Sequence, residues 1–215
     1  MENRTKRYYS CDLRSSRNDN GTVTIEGMPI VFETMTDIGP FNEIIDRSAF
    51  DDPNTLRDVA LFVQHNDSMI PLARSRNNNE NSTMRLRVLE EGVGMEADID
   101  VARNADAAAL DSALDRGDIT GMSFAFIVPK DGDEWDWTDK KHPTRRIKKV
   151  GRVFEVSAVS EPAYRTTNIQ ARQADTEALE SARAVLESAE AEERERIEAQ
   201  EREALRAKIK ILCEV

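Results

Sequence analysis

The sequence is poor in the residues that build disulfide frameworks and zinc clusters. It has two cysteines, Cys11 and Cys213, near opposite ends, and two histidines among its 215 residues. Two isolated thiols exclude a disulfide framework and a zinc cluster of the usual spacing, and they are typical of a reducing cytoplasm. The same shortage argues against a metal hydrolase, because only carboxylates would remain as ligands. We therefore expect neither a metal nor a cofactor.

Long apolar runs and an excess of positive charge are also missing. No stretch approaches the ~18 apolar residues of a membrane span, and the basic first residues have no apolar segment behind them, unlike a signal peptide. The formal net charge is -11, whereas a nucleic-acid-binding surface needs a basic patch to neutralise phosphates. The composition predicts a soluble, intracellular protein that binds neither membranes nor nucleic acid.

Glycine and proline are absent from the last part of the chain. No glycine follows Gly151 and no proline follows Pro162, and the residues beyond are mainly Ala, Glu, Arg and Leu, which favour helix. Apolar residues recur at heptad-like spacing over residues 179–189 and again over 205–212, with charged residues interrupting the stripe between them. The pattern predicts a helical, Glu-rich tail over residues 172–215. It packs weakly with a partner or stands in solvent.

The rest of the chain divides into an arm and a β-rich region. Residues 1–20 are polar and end in the turn signal Asn-Asp-Asn-Gly, so we expect a flexible N-terminal arm. Over residues 21–171, short apolar runs alternate with turn residues, which indicates strands, and the turn Glu90-Glu91-Gly92 between two alternating runs predicts a hairpin. A change of period between Asn104, a candidate N-cap, and Gly117, a candidate stop, predicts one helix. A charged insert, residues 129–149, separates two of these strands, and its segment Asp-Lys-Lys-His-Pro-Thr-Arg-Arg, residues 139–146, is expected to be a mobile surface loop. Together these patterns predict an α+β fold.

Three polar side chains in the β-rich region are candidates for chemistry. His65 comes directly after the strand-like run Leu-Phe-Val-Gln, where loops often display reactive groups. Ser123 enters a strand in Gly-Met-Ser-Phe-Ala-Phe, and Glu155 interrupts the apolar strand Val-Phe-Glu-Val. Each also has an ordinary structural interpretation: a half-buried histidine, a small core residue, and a carboxylate on the wet face of a strand.

Taken together, the order of these three residues and the segments around them resemble the prohead proteases of tailed bacteriophages, the serine peptidases of capsid maturation. The segments are HND, GMSFAF and EVSAVSEPAY, and the resemblance, which runs from about residue 27 to 171, also includes GMPIVF, EIIDRSAF and LDRGDITGMS. That family is similar in fold and catalytic order to the herpesvirus assemblins. The resemblance implies an antiparallel β-barrel-like core flanked by helices, with residues 21–171 as the protease domain.

The resemblance also implies roles for the three candidates. Ser123 would be the nucleophile and His65 the general base that takes its proton, because a serine hydroxyl is a weak nucleophile until a neutral imidazole accepts that proton. Glu155 would fix the tautomer of the imidazole. The assemblins have a histidine as third member, so His142 is the alternative; Glu155 is preferred because a catalytic group needs a rigid support.

The oxyanion hole is not identified by the sequence. Its candidate donors are backbone amides near Ser123 or the side chain of Arg145 or Arg146.

The function implied is that of a serine endopeptidase packaged inside an assembling procapsid in the host cytoplasm. It would cleave the scaffolding segment of the major capsid protein, and itself, with self-cleavage after Thr167 or within the tail. A homo-oligomer, as a dimer by analogy with the assemblins, is expected. The alternative is a non-catalytic scaffold or capsid-assembly module with the same fold. Ala73 and Ala125 favour that alternative, because the family more often has glycine there.

Overall fold

A computed structural model of the chain describes residues 4–10, 13–160 and 169–213. These ranges contain thirteen strands and two α-helices, which confirms the α+β class. The strands are β1 (Thr5–Ser10), β2 (Arg14–Arg17), β3 (Val23–Val31), β4 (Thr36–Asp37), β5 (Asn42–Ile45), β6 (Ala60–Val63), β7 (Ala73–Arg74), β8 (Met84–Val88), β9 (Gly92–Ile99), β10 (Gly121–Ile127), β11 (Asp133–Asp136), β12 (Thr144–Ile147) and β13 (Arg152–Val159). The helices are α1 (Ala105–Asp115) and α2 (Ile169–Cys213).

The described strands pair into three sheets, with the orders β1-β10-β13-β6-β7, β2-β3-β9-β8 and β11-β12-β5-β4. Their neighbours are antiparallel except for β13 with β6 and β12 with β5, which are parallel. None of these sheets closes on itself, so the barrel-like arrangement stays a prediction. Contacts divide the chain into two units, residues 1–174 and 175–215.

In the described residues 4–10 and 13–20, where the polarity predicted a flexible arm, the chain forms β1 and β2. β1 pairs with β10 along its whole length, and β2 pairs with β3. The physical reason for the ordering of β1 is Arg7, which is only 4% exposed and forms a bidentate ion pair with Glu43 of β5. The local polarity of the sequence does not indicate this ion pair, because Arg7 and Glu43 are 36 residues apart.

The hairpin predicted from alternating apolar residues is present. β8 ends at Val88 and β9 begins at Gly92, and the two strands pair antiparallel. Gly92 is required for close approach, because a Cβ there would lie 2.1 Å from the carbonyl oxygen of Ile30. The inward residues of β9 are buried with those of β3, for example Ile99 with Val23, and they form one side of the core.

The helix predicted between Asn104 and Gly117 is also confirmed. The side chain of Asn104 caps α1 by accepting the backbone N–H groups of Asp106 at 2.9 Å and Ala107 at 3.3 Å. Leu110 is buried on the inner face. Gly117, at φ +74°, turns the chain out of the helix toward β10.

The charged insert is partly strand: residues 139–143 lie outside the strands, whereas residues 144–146, also expected to be loop, belong to β12. It contributes β11 and β12, which pair with each other, while β12 also lies parallel to β5. The buried side of β12 carries Arg145, whose guanidinium donates to Asp133 at 2.6 Å and to Glu43 at 3.3 Å. Paired charges therefore fill positions where an apolar pattern would normally reveal a strand.

The long helix predicted for the tail is present as α2, and its described side chains are mostly exposed. Val185 and Ile197 are exposed by 71% and 46%. Within the described residues, neither helix has a stretch long and apolar enough to cross a membrane.

Candidate active site

His65 lies where the chain leaves β6 through a strained turn. Gln64 and His65 both have left-handed backbone conformations, with φ of +53° and +56°, which are costly for residues with a Cβ and are often found at functional sites. Two hydrogen bonds to β13 hold this turn: the Gln64 N–H donates to the carbonyl of Ala158 at 3.0 Å, and the His65 N–H donates to Oγ of Ser157 at 3.2 Å.

The imidazole of His65 and the carboxylate of Glu155 form a buried pair. Nδ1 of His65 lies 2.5 Å from Oε1 of Glu155, and the two side chains are 7% and 8% exposed. The second carboxylate oxygen, Oε2, accepts the hydroxyl of Ser157 at 2.6 Å. These contacts account for a carboxylate inside an apolar strand, because a buried charge is tolerated only when it is paired and hydrogen-bonded. The pairing also leaves Nε2 as the nitrogen available for chemistry.

Ser123 lies on β10 next to this pair. It is directly opposite Ser157 on β13, and residues opposite each other in an antiparallel pair point to the same face of the sheet. Glu155 lies two residues before Ser157 on the same strand and so shares that face. The side chains of Ser123, Ser157 and Glu155 are therefore grouped on one side of the sheet, and His65 contacts the group through Glu155.

Two buried polar atoms in this group lack a partner. In the described part of the chain, Nε2 of His65 and Oγ of Ser123 are the buried side-chain nitrogen and oxygen atoms without a hydrogen bond. Buried polar atoms without partners are rare in native proteins and call for a physical explanation. Catalytic hydrogen bonds are often formed only in a complex with substrate, and a site of that kind would leave such atoms without partners.

Tyr8 of β1 covers the same place. It is directly opposite Ser123 in the sheet, and its ring meets the ring of His65 edge-on, with centroids 5.5 Å apart. Burial, and then the nearby charge of Glu155, raise the pKa of the Tyr8 phenol. Tyr8 therefore stays neutral and serves as a half-exposed aromatic cover.

The alternative third member, His142, lies in another part of the fold. Its Nε2 is 3.2 Å from Oδ1 of Asn42 and 3.8 Å from Oδ1 of Asp37, in the sheet that contains β4 and β5. The ring is thus engaged with residues of that sheet, whereas Nδ1 of His65 is engaged with Glu155.

Both arginines considered for the oxyanion hole are held in ion pairs. Arg145 donates to Glu43 and Asp133, and Arg146 donates to Glu33 at 2.7 Å. The carboxylates that these two guanidinium groups bind do not include Glu155. Of the donors proposed from the sequence, backbone amides near Ser123 remain.

Two residues of the site, Ser157 and Tyr8, were not singled out by the sequence. Ser157 had a detectable signal, because it lies two residues after Glu155 and must share its face in a strand. Tyr8 had none, since its proximity depends on the pairing of β1 with a strand more than 100 residues later.

Comparison with known proteins identifies the family. The family model of the caudovirus prohead serine proteases matches residues 9–182, a range that includes His65, Ser123 and Glu155. Searches of curated proteins and of solved structures found no match. Because the matched range spans most of the 215 residues, the chain belongs to the caudovirus prohead serine protease family.

Proposed function

We propose that the protein is a serine endopeptidase of the phage prohead, with Ser123 as nucleophile, His65 as general base and Glu155 as the group that orients and stabilises the base. The observation that carries the proposal is the buried pair of His65 and Glu155, in which Nδ1 and Oε1 lie 2.5 Å apart. Among the described residues, Nε2 of the same imidazole and the hydroxyl of Ser123 have no hydrogen-bond partner. A residue that only fills the core has no need of this arrangement.

The proposed reaction is an acyl transfer in two halves. Oγ of Ser123 attacks the carbonyl carbon of the scissile peptide bond while Nε2 of His65 accepts the hydroxyl proton. Glu155 stabilises the resulting imidazolium through Nδ1. The imidazolium then protonates the departing amine, the C–N bond breaks, and an acyl ester remains on Ser123. Water hydrolyses this ester by the same proton transfers and restores the serine hydroxyl.

Ser157 is a positioning residue in this scheme. Its hydroxyl donates to Glu155 and its oxygen accepts the backbone N–H of His65. One buried side chain thus fixes both the carboxylate and the left-handed turn that carries the base. The arrangement supplies the rigid support that a catalytic group requires.

The substrates and setting are those implied by the family. We propose that the enzyme cleaves the scaffolding segment of the major capsid protein, and itself, inside the procapsid in the host cytoplasm, and that it forms a homodimer. The Glu-rich helix α2 would direct it into the assembling shell. The proposed self-cleavage position after Thr167 lies outside the described residues.

The alternative is a non-catalytic capsid-assembly module. Ala73 and Ala125 suggested it from the sequence, because glycine is more usual there. Both alanines lie within strands, β7 and β10, and neither has a positive φ. Alanine is compatible with such a backbone, so these two positions do not oppose catalysis.

The test is intact-mass analysis of the full chain mixed with a capsid-protein precursor. The protease proposal predicts defined fragments with wild type and none with Ser123→Ala. Ser75→Ala serves as the matched control: Ser75 is equally buried, its Oγ accepts the N–H of Val59 at 2.8 Å, and it takes no part in the proposed chemistry. Intact precursor with wild type and both variants would favour the assembly module, and equal cleavage by wild type and Ser123→Ala would assign the chemistry to another group.

A further inference from the structure

The catalytic groups are buried, so a substrate cannot reach them unless something moves. Ser123 is 0% exposed and Nε2 of His65 is buried. β10, the strand that carries Ser123, has one neighbour on each side, β13 and β1. β13 carries Glu155 and Ser157 and cannot leave without dismantling the site. The edge covered by β1 is therefore the edge of β10 with which a peptide strand could pair beside Ser123.

The two halves of β1 are held differently. Arg7 anchors the first half, because its guanidinium is buried and paired with Glu43, which is 2% exposed. Breaking such a pair is strongly unfavourable. The second half, Tyr8–Ser10, pairs with the segment from Ser123 back to Gly121. Tyr8 is 38% exposed and touches the site through an edge-on ring contact, which is a weaker interaction than a buried ion pair.

We infer, resting on the proposed function, that the edge of β10 now paired with Tyr8–Ser10 is the binding site of an extended peptide substrate, and that these residues must separate from β10 before cleavage. The chain's own strand occupies the place of the substrate. Separation frees main-chain N–H and C=O groups of β10 for pairing with a peptide strand, the mode known as β-augmentation. It also frees β10 amides beside Ser123 for the oxyanion.

This geometry restricts the class of substrate. A segment that adds to the edge of β10 must be extended, because a helix satisfies its own backbone groups and offers none to a sheet. The enzyme is therefore expected to cut unstructured linkers between folded parts of its targets and to leave helical segments intact.

The test measures access to position 123 without relying on catalysis. The parent for this test is a full-length chain that carries Ser123→Cys and in which Cys11 and Cys213 are replaced by serine. The rate at which a small methanethiosulfonate reagent modifies the introduced thiol is recorded. Two substitutions weaken the contact of Tyr8–Ser10 with β10 in different ways. Tyr8→Ala removes the ring, and Ser10→Pro removes a backbone N–H from the end of β1 and disfavours its pairing.

Each change has a matched control. Tyr8→Phe keeps the ring and removes only the hydroxyl. Ser16→Pro places the same proline in β2, which is also the end strand of its sheet. Both opening variants are expected to speed the modification of the introduced thiol about tenfold or more, because the rate follows the population of the open form. The two controls are expected to react as the parent does.

Equally fast modification of the thiol in the parent and in both opening variants would overturn the inference, since β1 would not limit access. Acceleration in the Ser16→Pro control as large as in Ser10→Pro would overturn it too, because the effect would then be general loosening. The proposed function fails separately: a chain with Ser123 intact that cleaves no precursor refutes the protease, whatever the thiol rates are.

Discussion

Ser157→Ala tests whether the support beneath the catalytic pair matters for the reaction. The change removes the hydroxyl that donates to Oε2 of Glu155 at 2.6 Å and accepts the His65 N–H at 3.2 Å. A hydrogen bond to a charged group contributes about 1.5–3 kcal/mol. If all of this is lost in the transition state, kcat falls roughly 10- to 150-fold, since each 1.4 kcal/mol is about a factor of ten.

The assay is steady-state cleavage of a peptide substrate together with the free energy of unfolding in urea. If Ser157 positions the catalytic pair, its removal should lower kcat with little change in KM, because the substrate itself does not contact Ser157 in the proposed scheme. Ser75→Ala, the matched buried serine, should lose a similar amount of stability and keep its kcat. A kcat of Ser157→Ala equal to that of Ser75→Ala would refute the reasoning and leave Ser157 a purely structural residue.

Four further variants test other parts of the site and the fold. Glu155→Gln should lower kcat roughly 10³- to 10⁴-fold, whereas His142→Ala should leave kcat unchanged. Peptide cleavage by the two variants measures this, and the reverse result would make His142 the third catalytic residue. Arg7→Met should reduce the free energy of unfolding by about 3 kcal/mol in urea, because it leaves the buried charge of Glu43 with less compensation; a loss as small as that of an exposed pair would contradict this. Asn104→Ala should cost about 1 kcal/mol through loss of the cap, and an unchanged urea midpoint would count against the capping bond.

The charge on Glu43 also makes the free energy of unfolding depend on pH. Burial alone would raise its pKa, but Arg7 and Arg145 together hold the pKa below its usual value of 4.5. A lowered pKa in the folded state means that ionisation stabilises the fold above pH 4.5, and that this contribution is lost as the pH falls through the lowered pKa. The stability difference between wild type and Glu43→Gln should therefore be largest near neutral pH and shrink in acid. A difference independent of pH would contradict the assignment.

The sequence predicted those elements whose formation depends on residues close together in the chain. The hairpin of β8 and β9 and the helix capped by Asn104 follow from periodicity and end signals within a few residues, and both are present. β1 and β12 were missed because their buried positions hold Arg7 and Arg145, whose charges are satisfied by Glu43, a residue far away in the sequence. Polarity alone cannot show that such a partner exists.

The candidate site divides in the same way. His65 at a strand end and Glu155 inside an apolar strand were noticeable locally, although only the resemblance to a family joined them with Ser123. Their contact depends on the parallel pairing of β6 with β13, which no local pattern specifies. The contribution of Tyr8 was invisible for the same reason.

The measurement that tests the central claim most directly is labelling of the full chain with a fluorophosphonate, followed by mass-spectrometric mapping of the adduct. One adduct is expected, on Ser123 and not on Ser157, and it should be lost in His65→Ala, because the serine is reactive only when the imidazole takes its proton. An adduct on another serine, or equal labelling of Ser123 without His65, would contradict the central claim.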